Sequence, residues 1–144
     1  MNIVIDASVE IKFYVPEILS DNAWEILTRA TDGEIVLYAP DLIYPETGNI
    51  LWKKLRRQEL TSEEVDEIVD AIADLPLRIE PSKPVLPLAV SISCYSGITV
   101  YDAMYVAMAR IYETQMITAD KKLIDSLTKT EFKNNVRLLG TGIG

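Results

Sequence analysis

Short apolar runs alternate along the chain with longer segments whose apolar residues recur every three or four positions. The short runs are typical of parallel strands buried on both faces, and the longer segments are typical of helices with one buried side. Five strands are predicted in this way, at 3–5, 35–39, 77–79, 116–118 and 136–139. The segments between them predict helices over 7–15, 20–32, 41–58, 62–72, 82–95 and 100–113, and a last helix from 120 onward.

Strands that are separated by helices form βαβ units with right-handed crossovers, and such units build a parallel sheet. The sequence therefore predicts an α/β protein, a three-layer α/β/α sandwich around a central five-stranded parallel sheet. Residues 1–140 are expected to form a single domain, and the glycine-rich residues 141–144 a flexible tail. In sheets of this kind, ligands bind beyond the carboxyl ends of the strands.

Several helix starts carry recognisable signals. Ser20 or Asp21 is positioned to cap the second helix with its side chain, and Thr61 forms a capping box with Glu64 before the fourth. Pro45 is expected either in the first turn of the third helix, where a missing backbone N–H costs nothing, or at a kink in that helix. These signals indicate which residues lie at the starts of helices, close to the carboxyl edge of the sheet.

The residue inventory narrows the chemistry. The chain has no histidine and one cysteine, Cys94, which excludes Ser-His-Asp triads, histidine-ligated zinc, imidazole acid–base catalysis and internal disulfides. Carboxylates remain, and they are ligands for hard ions such as Mg²⁺ or Mn²⁺. Because a signal-peptide pattern and an apolar run of about 20 residues are both missing, we expect a cytoplasmic protein without a membrane segment.

Two acids follow predicted strands closely. Asp6 comes directly after the first strand, and Asp120 lies two residues beyond the end of the fourth. Both are therefore expected at the carboxyl edge of the sheet, where binding sites form. Each could equally be a helix N-cap, because an Asp at that position accepts hydrogen bonds from backbone N–H groups.

Two further acids lie on helix positions that face the core. Glu46 shares a stripe with Ile43 and Ile50, and no basic residue lies within one turn of it. Asp102 opens a helix that is apolar nearly all round, although Thr99-x-x-Asp102 is also a capping pattern. Converging carboxylates raise one another's pKa unless a divalent cation compensates their charge. The four acids together predict a Mg²⁺ or Mn²⁺ site suited to phosphoryl chemistry.

At these residues the sequence resembles the PIN-domain ribonucleases, in particular the VapC-type toxins of toxin–antitoxin pairs. The resemblance covers about residues 2–139, and four segments at family-like spacing carry it. They are Ile5-Asp6-Ala7-Ser8, Glu46-Thr47-Gly48-Asn49-Ile50-Leu51, Tyr101-Asp102-Ala103-Met104-Tyr105-Val106-Ala107-Met108-Ala109 and Ile117-Thr118-Ala119-Asp120-Lys121-Lys122-Leu123.

The resemblance implies a site, a reaction and partners. The reaction is Mg²⁺- or Mn²⁺-dependent endonucleolytic hydrolysis of RNA phosphodiester bonds, which leaves a 5′-phosphate and a 3′-hydroxyl. The partners are a second copy of the chain, in a homodimer, and a small cognate antitoxin (VapB-like) whose C-terminal part covers the cleft. The implied catalytic and metal-coordinating acids are Asp6, Glu46, Asp102 and Asp120, with supporting polar contacts from Ser8, Asn49 and Thr118.

An enzyme that cleaves RNA also needs cationic contacts with the phosphates. Three basic groups each follow one of the candidate acids along the chain, which favours RNA contact over a merely solvated surface. The candidate RNA-binding residues are Lys12, Lys53, Lys54, Arg56, Arg57, Lys121 and Lys122.

Two other functions fit part of the pattern. A phosphate-accepting receiver domain needs paired acids after the first strand, an Asp at the end of the third and a Lys at the end of the fifth. The chain has Asp6 alone at the first position, then Glu80 and Leu139. The other alternative is a non-catalytic RNA-binding or assembly module of the same fold, which the presence of all four acids disfavours.

The formal net charge of −8 argues against a nucleic-acid partner only at first sight. Residues 59–80 hold eight acids and one base, and so account for seven of these eight charges. The acidity is concentrated in one helix and its flanks, which predicts a solvated or partner-binding face where RNA does not bind.

Overall fold

Five parallel strands form the centre of the molecule, and their order across the sheet runs from the third to the second, first, fourth and fifth. The computed structural model describes residues 1–142, so residues 143 and 144 of the predicted tail lie outside the described residues. The α/β class and the five-stranded parallel sheet predicted from the sequence are confirmed. The strands are β1 (Asn2–Ile5), β2 (Val36–Pro40), β3 (Leu77–Glu80), β4 (Gln115–Thr118) and β5 (Val136–Leu138).

Within residues 1–142, seven helices flank this sheet, and three short 3₁₀ turns lie in the connections between elements. The turns are Ile11–Phe13, Lys83–Val85 and Lys133–Asn135. The helices are α1 (Ala7–Glu10), α2 (Ser20–Thr31), α3 (Ile43–Arg56), α4 (Ser62–Ile72), α5 (Leu86–Ser96), α6 (Val100–Ile111) and α7 (Lys121–Leu127).

Helix α6 lies at the centre of the core, as its nearly uniform apolar sequence predicts. It packs against α5 and against β1, β2 and β4, and its residues 105–109 are at most 1% exposed. A smaller apolar cluster of Ile11, Leu51 and Ile68 joins the first 3₁₀ turn to α3 and α4. The main core around α6 and this smaller cluster together hold the first turns of α3 and α6 in fixed positions relative to the sheet.

Several predicted features of the helices are wrong, each for a local reason. The fifth helix begins at Leu86 instead of residue 82, because a 3₁₀ turn occupies residues 83–85. The first helix ends at Glu10 instead of Val15, because the chain tightens into a 3₁₀ turn. Neither Ser20 nor Asp21 caps α2: its N-cap is Leu19 at φ 69°, and the Ser20 hydroxyl accepts from the backbone N–H of Glu17. The third helix begins at residue 43, since residue 40 still belongs to β2. The capping box before α4 and the place of the proline in the first turn of α3 are confirmed.

The sheet topology singles out one place at its carboxyl edge. From β1 the chain moves outward through β2 to β3, and then returns through α5 and α6 to β4 on the other side of β1. In parallel sheets, the boundary where the strand order reverses is where binding crevices open. The expected site is therefore at the carboxyl ends of β1 and β4.

Among residues 1–142, no single helix is long and apolar enough to cross a membrane. One pair, Lys83–Ser96 and Val100–Ile111, passes on length and composition alone, with a bend of 116° between its two members.

Candidate active site

Asp6 and Thr118 lie side by side at the carboxyl ends of β1 and β4. The register pairs Ile5 with Ile117, so the next residue on each strand also meets its neighbour. The Thr118 hydroxyl donates to Asp6 Oδ2 at 2.6 Å, and both side chains are buried. Asp6 also accepts from the backbone N–H of Val9 at 3.2 Å, which makes it the N-cap of α1.

Ser8 completes a hydroxyl clamp around Asp6. Its Oγ donates to Asp6 Oδ1 at 2.6 Å and accepts from the backbone N–H of Ala119 at 2.9 Å. Thr118 is oriented in the same way, because its Oγ1 accepts from the backbone N–H of Asp120 at 3.1 Å. Each hydroxyl therefore has its donor direction fixed by the segment after β4, and the Asp6 carboxylate is held in one orientation.

The capping interpretation of the other two Asp residues is half right. Asp120 does cap α7, with its Oδ1 accepting from Leu123 N at 3.2 Å. In the Thr99-x-x-Asp102 pattern, the Thr99 hydroxyl accepts from the Asp102 backbone N–H at 3.1 Å and so caps α6. The Asp102 carboxylate lines the cleft; burial raises its pKa, and the Thr99 side chain beside it offsets part of this rise.

Glu46 reaches the same edge from the first turn of α3. No basic side chain among residues 1–142 forms an ion pair with it, and its partner is the hydroxyl of Tyr105, which donates to Oε1 at 2.5 Å. Tyr105 belongs to α6 and is 1% exposed. A carboxylate from one helix is thus fixed by a buried phenol from another, across the carboxyl edge of the sheet.

The four candidate acids line one cleft of about 240 Å³, together with Ala7, Ser8, Asn49 and Ile50. The cleft brings together acids that are separated by up to 114 positions in the sequence. Of the three predicted supporting residues, Ser8 and Thr118 contact Asp6, whereas Asn49 lines the cleft and makes no hydrogen bond among residues 1–142.

Burial and mutual repulsion shape the charge of this cleft. Burial raises the pKa of Asp6 to about 6, against the effect of its hydrogen bonds, and the negative charge of Asp102 adds a smaller rise. Burial is also the largest cause of the raised pKa of Glu46 and of Asp102, with further rises from Asp102 and from Asp120, respectively. Asp102 therefore repels each of the other three acids.

The four acids line one cleft, but their carboxylates are not positioned to coordinate a metal ion directly from three sides. Within residues 1–142, no group of three Asp, Glu or Cys side chains is arranged to hold a metal ion. Mg²⁺ is usually bound through one or two carboxylates and keeps several of its water molecules. A cleft of this volume, lined by four carboxylates, has the donor chemistry and the room for such a partly hydrated ion.

Tyr105→Phe is expected to lower any activity of the cleft by about five- to tenfold without unfolding the protein. The change keeps the ring in the core and removes only the hydroxyl that fixes Glu46. Loss of that donor also raises the pKa of Glu46, so the acid limb of the pH–rate profile should move to higher pH. Rates measured between pH 5 and 9 check this, and an unchanged rate and profile would contradict a positioning role for Tyr105.

The seven candidate RNA-binding residues fall into three groups. Lys12, Lys53, Lys54 and Arg57 line a second cavity next to the acidic cleft. The other three lie outside the linings of both cavities: Arg56 packs its guanidinium over the exposed ring of Trp52 at 4.8 Å, and Lys121 and Lys122 are exposed at the start of α7.

The sequence did not predict the roles of three residues in this region. Tyr105 was hidden within an apolar run, and the only signal was a phenol in a buried helix, whose hydroxyl needs a partner. Glu17 bridges Lys12 and Lys54, which no spacing rule predicts. Glu10 is the last residue of α1, which packs against α3, and it is completely buried. The segment around it is short and mixes polar and apolar residues, so no periodic pattern predicts this burial.

A model of the PIN domain matches residues 3–127, and the chain therefore belongs to the PIN-domain family. It is similar to Ribonuclease VapC3 of Pyrobaculum aerophilum, with 32% identity over 127 residues that cover 87% of this chain and 94% of that protein. Ribonuclease VapC1 of Mycobacterium tuberculosis is 28% identical over 122 residues, which cover 83% and 86%.

Solved structures give the same fold at low sequence identity. The crystal structure of PAE2754 from Pyrobaculum aerophilum has a TM-score of 0.64 at 20% identity, and the match covers 98% of this chain and 94% of that one. VapBC2 from Rickettsia felis, bound to a DNA fragment from their promoter, has a TM-score of 0.65 at 12% identity, with coverage of 96% and 98%. The resemblance to PIN-domain proteins stated from the sequence is thereby confirmed.

Proposed function

We propose that this protein is a Mg²⁺- or Mn²⁺-dependent endoribonuclease and the toxin of a toxin–antitoxin pair. The observation that carries the proposal is the convergence of Asp6, Glu46, Asp102 and Asp120 on one cleft at the switch point of the sheet. The ribonuclease names of its relatives support RNA as the substrate. The proposal includes a cytoplasmic location.

The four acids would hold the divalent cation, and this chain's own residues would set where it sits. When bound, the ion supplies positive charge at the scissile phosphate and makes a water molecule more acidic. The hydroxyl clamp of Ser8 and Thr118 keeps the Asp6 carboxylate in one orientation even when no cation is bound. Tyr105 does the same for Glu46, so that two of the ligands are oriented before RNA arrives.

The test of this proposal is cleavage of a mixed RNA pool by the purified protein, with Mg²⁺, with Mn²⁺ and with a chelator. We expect cleavage at internal positions in the presence of either ion, 5′-phosphate ends on the products, and no cleavage in the chelator. Cleavage that persists in the chelator would overturn metal dependence, and a protein inactive with both ions would overturn the nuclease assignment.

The alternative function is a non-catalytic RNA-binding or assembly module. The observation that favours it is that no three carboxylates in the described part of the chain stand preassembled for a metal. Asp102→Asn separates the two functions, because it removes the charge that repels the other three acids and keeps the shape of the side chain. A binding module would keep its RNA affinity and its biological effect, whereas the nuclease would lose cleavage.

The same proposal includes a small antitoxin and a homodimer. Solved structures with this fold include a toxin–antitoxin complex from Klebsiella pneumoniae. The apolar helix α5 and the start of α6 leave four large side chains at least 43% exposed, which supports a covered surface in the assembled protein. These side chains are Leu86, Val90, Tyr95 and Tyr101.

A further inference from the structure

A second cavity of about 340 Å³ adjoins the acidic cleft and has the opposite charge. The two cavities share Ser8 and Ile50 in their linings, so they form one continuous depression in the surface. The remaining lining residues of the second cavity are Ile11, Lys12, Glu17, Lys53, Lys54, Arg57 and Ala119. We call this the basic cavity.

Two of its four cations are fixed in place by one carboxylate. Glu17 accepts from Lys12 Nζ at 3.0 Å and from Lys54 Nζ at 2.7 Å, and these two contacts lower the pKa of Glu17. The Lys12 and Lys54 side chains are only 11% and 17% exposed. One carboxylate thus orders two lysines. A second carboxylate, Glu59, lies 3.8 Å from Lys54 Nζ without lining the cavity, so the unpaired positive charge of the cavity comes from its other two cations.

The other two cations are exposed and without a carboxylate partner among residues 1–142. They are Lys53 on α3 and Arg57, the residue that caps the end of α3, and both continue the helix face that begins with Glu46. At about 1.5 Å per residue, Lys53 is ~10 Å and Arg57 is ~16 Å along the helix from Glu46. A single helix face therefore leads from the acidic cleft directly into the basic cavity.

We propose that the basic cavity is a binding subsite for the backbone phosphates of a single RNA strand, next to the phosphate that is cleaved. The inference rests on the proposed nuclease function, and it adds a fixed path for the strand on one side of the cleft. Free cations bind the phosphates, and Ile11 and Ile50 provide an apolar floor on which a ribose or base edge packs.

The charge of the neighbouring helix α4 supports a polyanion in the basic cavity and disfavours one on α4. Helix α4 packs against α3 and exposes a row of carboxylates, so a strand leaving the cleft is repelled from α4 and attracted toward the basic cavity. The exposed carboxylates of α4 are Glu63, Glu64, Asp66, Glu67 and Asp70.

The test measures RNA binding in chelator, where no cleavage occurs, for the double variant Lys53→Ala/Arg57→Ala. Both side chains are exposed and unpaired, so the variant should fold normally. We expect about tenfold weaker affinity for a single-stranded RNA of eight nucleotides, and a salt dependence whose slope falls by about 1.4 for two lost phosphate contacts.

The matched control is Lys129→Ala/Lys133→Ala, which removes the same net charge. Both lysines are exposed between α7 and β5, a connection that leads to the opposite edge of the sheet. This control should bind RNA as the wild type does. Equal affinities for the two double variants would show that only overall charge matters and would overturn the subsite.

Two further arms identify the ligand. In RNAs of two, four, six and eight nucleotides, lengthening should strengthen binding to the wild type and to the control, but much less to Lys53→Ala/Arg57→Ala. Displacement of the RNA by an equally charged oligoglutamate, with equal affinity, would overturn RNA in favour of an acidic protein segment. Because these arms need no catalysis, a failure of RNA cleavage with intact length-dependent binding would overturn the nuclease and leave the subsite standing.

Discussion

Asp6→Asn is expected to lower RNA cleavage by at least about 100-fold and, at the same time, to stabilise the metal-free protein at neutral pH. Asp6 is the most deeply buried of the four acids, and both of its oxygens are already held by hydroxyls. The substitution keeps an oxygen for Ser8 and Val9 but removes the charge that a divalent cation needs. Loss of activity therefore arises without loss of the fold.

The gain in stability follows from the direction of the pKa shift. Burial raises the pKa of Asp6 from 3.8 to about 6, so the folded protein binds this proton more tightly than the unfolded chain does. Its contribution to stability is complete below pH 3.8 and is lost as the pH rises through 6. Asn carries no charge to desolvate, and after the loss of one acceptor we expect a net gain of about 1–2 kcal/mol at pH 7.5.

Cleavage assays and denaturant unfolding in chelator measure the two effects, with Asp125→Asn as the control on an exposed position of α7. That control should leave both quantities unchanged. Added Mn²⁺ should raise the melting temperature of the wild type and not of Asp6→Asn, since only the former binds the ion well. Wild-type cleavage by Asp6→Asn would exclude Asp6 as a ligand.

Glu10→Gln is expected to stabilise the protein by about 2 kcal/mol at pH 8.5 and to have little effect at pH 5. Glu10 is 0% exposed, and neither of its oxygens has a hydrogen-bond partner of normal geometry among residues 1–142. The hydroxyls of Thr47 and Tyr14 are buried and unpartnered in the same way. A charged carboxylate at this position is therefore poorly solvated.

The pH dependence again follows from the sign of the shift. Burial raises the pKa of Glu10 from 4.5 to about 7, and only the nearby Thr47 hydroxyl acts in the opposite direction. The neutral form stabilises the fold fully below pH 4.5, and this contribution disappears as the pH rises through 7. Gln has no proton to lose, so the difference between the two proteins should grow between pH 5 and 8.5.

Denaturant unfolding of both proteins across this pH range measures the difference, and subtracting the wild-type curve removes the contribution of Asp6. Glu63→Gln serves as the control, because that side chain is exposed on α4 and should leave the pH dependence unchanged. A difference between wild type and Glu10→Gln that stays constant with pH would show that Glu10 does not titrate in the folded protein.

The elements of the fold were predictable because each is encoded locally. Apolar runs of three to five residues mark β1, β2 and β4, and the nearly uniform apolar sequence of α6 predicts its burial, which is confirmed. The boundaries that failed depend on interactions that the pattern does not contain. Leu19 is the N-cap of α2 in a left-handed conformation, although local preference alone favours Ser20 or Asp21 as the capping residue.

The candidate acids were predictable for the same reason, and the resemblance implied the contacts of Ser8 and Thr118, whereas nothing in the sequence indicated the partner of Glu46. Asp6 and Asp120 follow strands, so a parallel sheet places both at one edge whatever the details of packing. The sequence alone did not decide whether these two acids cap helices or line a cleft, and in the structure both carboxylates do both. The phenol of Tyr105 reaches Glu46 only because α3 and α6 meet at this edge, 59 positions apart in the chain.

The sequence by itself determined the fold class and the family, and it predicted the kind of chemistry, because strand periodicity, residue inventory and motif order are properties of the chain read along its length. Only the tertiary structure decided which groups meet: the clamp on Asp6, the buried Glu10 and the pairing of Lys12 and Lys54 through Glu17. These contacts depend on the packing of elements distant in sequence, and burial and charge act through distance in space. The net charge of −8 likewise says little until the fold separates an acidic α4 from a basic cavity beside the cleft.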